Sequence, residues 1–142
     1  GTFTGVCGDL MAVEDITLPA SGYDVVYSCL TFHDLTDEGK QAVFGWVAKA
    51  LRPGGYFLLY DRLRLTSSAL FPLQRSIWSQ IEARHGVAMR SADSFDAYCE
   101  DLKVGNSPAS LVDYMAWFEA AGFDATCLHV HGNIALLGGA LR

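Results

Sequence analysis

The sequence predicts an α/β fold in which parallel strands and helices alternate along one domain of 142 residues. Two nearly continuous apolar runs, Tyr23 to Leu30 and Tyr56 to Tyr60, are typical of strands buried on both faces of a parallel sheet. A helical pattern lies between them, and such a strand–helix–strand unit needs a right-handed crossover. Two further β-prone segments, 123–130 and 134–141, predict a terminal antiparallel hairpin. We expect a doubly wound sheet with helices on both faces, ending in this hairpin.

The first half of the chain carries one further strand signal and one clear helix signal. Phe3 to Cys7 is a short β-prone run. Thr36 or Asp37 would cap a helix that Arg52 and Pro53-Gly54-Gly55 bring to an end. One stripe of this helix is expected to face a core, and its members are Ala42, Val43, Trp46, Val47, Ala50 and Leu51.

The second half predicts two longer helices and a short one. The first carries an apolar stripe of Leu70, Leu73, Ile77 and Ile81. A polar stretch over 85–108 reads as a loop with a short helical piece at 95–102. Leu111, Met115 and Phe118 then define a helix that Gly122 should end.

Composition excludes several classes of protein. A content of 51% hydrophobic and 18% charged residues argues against disorder. No apolar run approaches the roughly 18 residues that a membrane span needs, and no signal peptide is evident, so a cytoplasmic location is expected. The net charge of −6 and pI near 5.0 argue against a general nucleic-acid binder.

The charges are unevenly distributed. Residues 1–38 hold seven acids and no Lys or Arg, whereas residues 62–90 hold five Arg against Glu82 alone. The basic block would attract an acidic substrate, or it is a solvated helix face.

Cysteine and histidine positions do not indicate a disulfide framework or a metal centre. The cysteines lie far apart without C-x-x-C spacing, at Cys7, Cys29, Cys99 and Cys127. His129 and His131 would point to one face of a strand, where two metal ligands are conceivable. No third ligand is near in sequence, so we expect two sheet-surface histidines and no metal.

Four motifs in order resemble the second half of class I S-adenosylmethionine-dependent methyltransferases. They are Gly8-Asp9, Y-D-V-V-Y-S at 23–28, F-H-D-L-T-D-E at 32–38 and A-L-R-P-G-G-Y-F-L-L-Y-D at 50–61. The ending, W-F-E-A-A-G-F-D at 117–124 and G-N-I-A-L-L-G-G at 132–139, is similar to the family's last helix and terminal hairpin. Residues 64–108 correspond to the family's variable substrate-covering insertion.

The resemblance implies a set of contacts to S-adenosylmethionine. Asp9 matches the acid that accepts a hydrogen bond from the adenine amino group, and Leu10 supplies the adjacent backbone N–H. Ser28, Cys29 and Leu30 match the segment whose backbone passes under the methionine part of the cofactor. A lone Gly-Asp pair favours a helix cap for Asp9, and it is the order of the motifs that favours the adenine contact. Cys29 is expected to be a buried structural thiol.

The resemblance also implies a catalytic residue. His33 lies where some O-methyltransferases place a general base, and a histidine would take a proton from a substrate hydroxyl near neutral pH. The alternative is that positioning alone drives the transfer and His33 has no base role. Four aromatic residues would line a substrate pocket or belong to the core: Tyr56, Trp78, Tyr98 and Trp117.

The sequence departs from the family by lacking its glycine-rich loop and its first two strands. We therefore expect the back half of a longer domain, in which cofactor binding by this chain alone is doubtful. An open edge on strand 23–30 predicts self-association or a rearranged first strand. The expected function is methyl transfer to a small molecule by a fragment or atypical member. The alternatives are a non-catalytic interaction module and an RNA-modifying relative.

Overall fold

The computed structural model describes residues 1–86 and 92–142. A 3₁₀ turn at Leu10–Asp15 precedes the first strand, and another at Phe32–Asp34 follows it. None of the helices in these two ranges is long and apolar enough to cross a membrane. The strands are β1 (Tyr23–Cys29), β2 (Leu51–Arg62), β3 (Phe123–His131) and β4 (Ile134–Leu141), and the helices are α1 (Asp37–Ala50), α2 (Phe71–His85), α3 (Phe95–Leu102) and α4 (Leu111–Ala120).

The strands form one sheet in the order β1-β2-β4-β3. β1 and β2 are parallel, with Val26 beside Phe57, and they are connected through α1. β4 runs antiparallel to β2 and to β3. The predicted parallel pair and terminal hairpin are therefore confirmed.

Helix α1 begins as predicted and ends earlier than predicted. The Thr36 hydroxyl accepts a hydrogen bond from the Gly39 N–H at 3.1 Å. The chain then turns directly into β2 at Leu51, whose backbone is extended. The prediction that Arg52 lies in the last helical turn is wrong, because Arg52 belongs to β2 and its Nε donates to Asp24 Oδ1 at 2.7 Å.

The main core lies between one face of the sheet and the helices α1 and α4. Phe44 of α1 and Phe118 of α4 meet edge to face at 4.7 Å between ring centroids. Both rings also pack on Phe57 of β2. The buried sheet residues beneath them are Phe57, Leu59, Phe123, Ala135 and Leu137.

Over residues 1–86 and 92–142, the opposite face of the sheet is largely exposed. Val25, Tyr27 and Tyr56 are 50%, 58% and 54% exposed, and Leu128 leans over Gly138 beside them. The expectation of helices on both faces is met on one face only, and the expected double burial of strand 23–30 is wrong. The physical reason is that α1 and α4 share one face, while α2 and α3 pack against each other.

Residues 1–9 form no regular structure, so the predicted strand at Phe3 to Cys7 is wrong. Phe3 is 95% exposed. An extended segment needs a neighbouring strand to pair its N–H and C=O groups, and none of the four strands described pairs with this one.

Helices α2 and α3 build a small second core from Phe71, Trp78 and Tyr98. The predicted short helix at 95–102 is confirmed. The predicted apolar stripe of α2 faces solvent and not a core: Leu70, Leu73 and Ile77 are 59%, 65% and 44% exposed. The larger aromatic side chains on an adjacent face of α2, Phe71 and Trp78, are buried instead.

Candidate functional site

A buried histidine–carboxylate pair lies at the carboxyl ends of the two parallel strands. His33 follows the end of β1, and Asp61 lies near the end of β2, where Cys29 and Tyr60 are in register. His33 Nδ1 and Asp61 Oδ1 are 2.5 Å apart, and the His33 backbone N–H donates to Asp61 Oδ2 at 3.1 Å. The two residues are 7% and 2% exposed. Both carboxylate oxygens therefore fix the position of the histidine.

The hydrogen bonds set the tautomer of His33. Asp61 Oδ1 also accepts the Arg62 N–H at 2.6 Å, so the carboxylate is held as an acceptor on both sides. Nδ1 must then carry the proton, which leaves Nε2 as the acceptor nitrogen. Nε2 lies 3.6 Å from the exposed carboxylate of Asp34. This arrangement suits a general base.

Two buried side chains hold the turn that carries His33. Phe32 packs against Phe44 at 5.6 Å between ring centroids. The ammonium of Lys40, a fully buried residue, donates to the Leu35 carbonyl at 2.7 Å and to Asp37 Oδ1 at 2.9 Å. An aromatic anchor before His33 and a lysine anchor after it thus fix the turn.

The backbone after β1 has an unusual conformation. Leu30 has φ +52°, in the left-handed region that non-glycine residues rarely adopt, and its N–H donates to the Tyr60 carbonyl at 2.8 Å. Ser28, Cys29 and Leu30 thus reach the same sheet edge as His33. Cys29 is exposed, so the expectation of a buried thiol is wrong: its side chain points to the open face of the sheet.

Asp9 and Leu10 belong to a different segment, which precedes β1 and packs on α1. Asp9 Oδ1 accepts the Met11 N–H at 2.8 Å and so caps the 3₁₀ turn. The Met11 side chain packs against Gly39 of α1. The cap is the alternative that the sequence left open for Asp9. The adenine contact of Asp9 and Leu10 stays a prediction.

The four aromatic residues proposed for a substrate pocket lie in three separate places. Trp78 and Tyr98 are core residues of the α2–α3 unit, and burial raises the pKa of Tyr98. Tyr56 lies on the open face of the sheet, whereas the Trp117 ring lies 6.0 Å from the Lys40 ammonium.

A groove of about 340 Å³ lies instead along α2. Residues 64–67 form one side of it, and the exposed apolar stripe of α2 forms the other. Its lining residues are Arg64, Leu65, Thr66, Ser67, Leu70, Phe71, Leu73, Gln74 and Ile77.

The basic block of residues 62–90 is partly paired. Arg64 lies 3.2 Å from Asp113, and Arg75 lies 3.4 Å from Asp93. Arg62 donates to the Asn106 side chain at 3.5 Å. Arg90 lies outside the described residues. The two aspartates, Asp113 and Asp93, lower the positive charge that the block presents to an anionic ligand.

His129 and His131 have stacked rings, 6.5 Å between centroids, and His131 also lies 5.7 Å from His85. Over residues 1–86 and 92–142, no group of three His, Cys, Asp or Glu side chains is arranged to hold a metal ion.

Asp61 is the residue of the candidate site that the sequence did not single out. The signal was present, because an acid that ends an apolar parallel strand lies beside the loop that follows the neighbouring strand. No single motif indicates that Asp61 pairs with His33, because they are 28 residues apart and the register of the two strands brings them together.

The comparisons with known proteins identify the fold. The chain combines a parallel pair of strands with a terminal antiparallel hairpin in one mixed α/β sheet. No protein-family model matches the chain, and no curated protein is significantly similar to it. Among solved structures, the chain is similar to the C-terminal part of S-adenosylmethionine-dependent O-methyltransferases, which confirms the resemblance in fold.

Three of these structures illustrate the similarity. An O-methyltransferase family 2 protein from Planctomyces limnophilus, in complex with apigenin, is 18% identical with a TM-score of 0.61 and is matched over 95% of this chain and 33% of that one. Human N-acetylserotonin methyltransferase in complex with SAM is 16% identical with a TM-score of 0.59, and the match covers 94% of this chain and 32% of that one. An O-methyltransferase family protein from Burkholderia thailandensis is 15% identical with a TM-score of 0.61, and the match covers 95% of this chain and 34% of that one. The chain thus spans about a third of the length of each.

Proposed function

We propose that this chain takes part in methyl transfer from S-adenosylmethionine to a small molecule, as a fragment or an atypical member of the O-methyltransferases. The observation that carries the proposal is the buried His33–Asp61 pair at the carboxyl edge of the sheet. Open α/β sheets bind their ligands at this edge. The structural neighbours with methyltransferase names support the same reaction class.

His33 acts as the general base in this proposal. Asp61 holds the proton on Nδ1, so Nε2 accepts the proton of an acceptor hydroxyl while the oxygen gains the methyl group. The imidazolium that forms is stabilised by the Asp61 carboxylate at 2.5 Å. When bound, S-adenosylmethionine supplies a methyl group already activated by the sulfonium.

The residues present fit part of this cofactor. Asp9 is exposed, and a carboxylate has several acceptor positions, so it can cap the turn and accept from an adenine amino group. Leu10 adjoins it, and the backbone of Ser28, Cys29 and Leu30 would lie under the methionine part. The glycine-rich loop of the family has no counterpart in the sequence.

A small-molecule acceptor is favoured over RNA. The complex of the Planctomyces limnophilus protein holds apigenin. The net charge of this chain is −6, and two arginines of its basic block are paired with aspartates. RNA binding that weakens steeply with salt would favour the RNA-modifying alternative instead.

Calorimetric titration with S-adenosylhomocysteine tests the proposal. We expect binding that Asp9→Ala weakens at least tenfold, whereas Asp15→Ala, an exposed acid of the same turn, leaves it unchanged. No heat at millimolar ligand would contradict cofactor binding by this chain.

Methyl transfer to apigenin provides the second test. His33→Gln should lower the rate roughly 100-fold or more, with cofactor affinity unchanged. An unchanged rate would exclude His33 as the base.

A non-catalytic interaction module is the second candidate. The observation that favours it is the exposed apolar edge and face around Val25 and Tyr27, through which we propose self-association. Under this alternative the chain keeps the sheet without binding the cofactor.

A further inference from the structure

The turn that carries His33 is too short to hold its own shape. It is a single 3₁₀ turn, Phe32–Asp34. Two backbone hydrogen bonds close it, from the Asp34 N–H to the Thr31 carbonyl at 3.2 Å and from the Leu35 N–H to the Phe32 carbonyl at 3.0 Å. One turn of helix is unstable by itself, because few hydrogen bonds offset the dihedral angles that it fixes. The position of His33 therefore depends on groups outside the turn.

Three groups outside the turn bind its backbone. The His33 N–H donates to Asp61 Oδ2 at 3.1 Å, and the His33 carbonyl accepts from the Ser107 N–H at 2.6 Å. The Leu35 carbonyl accepts from the ammonium of Lys40 at 2.7 Å. Asp61 and Ser107 thus hold His33 itself, whereas Lys40 holds the end of the turn against helix α1.

Lys40 lies where a cation is unfavourable. It is fully buried, and it is the fourth residue of α1, near the positive end of the helix dipole. Its ion-pair partner Asp37 is 44% exposed, and the Trp117 ring centroid lies 6.0 Å from the ammonium. A methionine has a similar length and would fill this space without the cost of burying a charge. The hydrogen bonds of the ammonium must therefore offset that cost.

We propose that Lys40 is a positioning residue for His33, an inference that rests on the base role of His33 proposed above. The ammonium ties the Leu35 carbonyl to the first turn of α1, which Phe44 fixes in the main core. Without it, the buried Leu35 carbonyl lacks its donor and the turn shifts towards another one. The hydrogen bond from His33 Nδ1 to Asp61 then loosens, and the proton divides between Nδ1 and Nε2.

Nitrogen-15 NMR of the histidine rings tests this in the intact chain without cofactor. At pH 8.5 the two His33 ring nitrogens should have widely separated shifts, with Nδ1 protonated and Nε2 unprotonated. Lys40→Met should reduce that separation by at least about a third, because the two tautomers then interchange. His33→Gln assigns the signals. Lys49→Met is the matched control: it changes an exposed lysine of the same helix and should leave the separation unchanged.

Asp37→Asn separates the ion pair from the carbonyl contact. It removes the negative charge and leaves the hydrogen bond from Lys40 to the Leu35 carbonyl in place. The His33 ring shifts should stay as in the parent chain. If Asp37→Asn moves them as far as Lys40→Met does, the ion pair positions the turn and the carbonyl anchor is wrong.

Urea denaturation and proton exchange distinguish positioning from a purely structural role. A lower urea midpoint in Lys40→Met with unchanged His33 ring shifts would overturn the proposal. If that variant does not fold, the parent chain decides: the Lys40 ammonium protons should exchange with water at least 100-fold more slowly than those of exposed Lys49. Equal exchange would show that the anchor is absent. None of these measurements needs methyl transfer, so a failure of the proposed function leaves their outcome readable.

Discussion

Asp61 takes part in more hydrogen bonds than any other described side chain at the candidate site. It accepts from the His33 ring, the His33 N–H and the Arg62 N–H while being 2% exposed. Asp61→Asn replaces one acceptor oxygen with a donor and leaves a buried partner unsatisfied. We expect a loss of roughly 2 kcal/mol or more in the free energy of unfolding, measured by urea denaturation.

Asp34→Asn is the control for that measurement. The Asp34 side chain is 60% exposed, so its change should stay within about 0.5 kcal/mol. A similar loss in both variants would mean that the buried hydrogen bonds of Asp61 add no stability.

The buried phenol of Tyr114 should make the stability of the fold depend on pH in the alkaline range. Burial, and secondarily the negative charge of Asp61, raise the pKa of this fully buried phenol above its usual value near 10. The folded state keeps the phenol proton while the unfolded state loses it, so stability falls as pH rises through 10. Urea midpoints at pH 9 and pH 11 should show this fall.

Tyr114→Phe removes the titrating group and should flatten that decline. The Tyr114 hydroxyl has no hydrogen-bond partner among the described residues, so the variant should lose little stability at pH 7. If the alkaline decline is as steep in Tyr114→Phe as in the parent chain, another group causes it.

At the scale of elements, two adjacent glycines in β4 have different neighbours. A Cβ on Gly139 would lie 2.7 Å from Phe118 Cδ1 and 3.1 Å from Phe123 Cβ, within the main core. Gly139→Ala therefore forces α4 away from the sheet, and we expect a loss of about 1 to 3 kcal/mol in thermal or urea unfolding.

Gly138 provides the matched control on the other face. A Cβ there would meet the tip of Leu128 at 2.7 Å, and that side chain is 54% exposed and free to move. Gly138→Ala should cost less than half as much as Gly139→Ala. Equal losses would show that backbone flexibility, and not contact with Phe118, determines the need for glycine.

Local chemistry determined which elements the sequence predicted correctly. Thr36 and the short helix at 95–102 were predictable because capping and periodicity act within a few residues. The sequence did not show which side of α2 is buried, because Leu70, Leu73 and Ile77 form as regular an apolar stripe as Phe71 and Trp78. Packing against α3 decided between the two stripes.

At the scale of the whole molecule, distant partners set what the sequence could not predict. The apolar run of β1 was predicted to be buried on both faces, yet one face is open. Apolar character shows that a strand can be covered and does not show what covers it. The same limit applies to Phe3 to Cys7, which is β-prone but pairs with none of the four described strands.

The division of the molecule into two buried clusters leads to a last prediction. Phe71, Trp78 and Tyr98 form the small core, and none of them belongs to the main core around Phe44 and Phe57. Trp78→Ala should speed amide hydrogen exchange in α2 and α3 on the order of 100-fold, while β2 and α1 stay protected. Phe44→Ala is the control and should speed exchange in β2, α1 and α4, because it weakens the main core. Equal acceleration by Trp78→Ala throughout the sheet would show one cooperative unit, in which the segment around α2 and α3 cannot open separately from the main core.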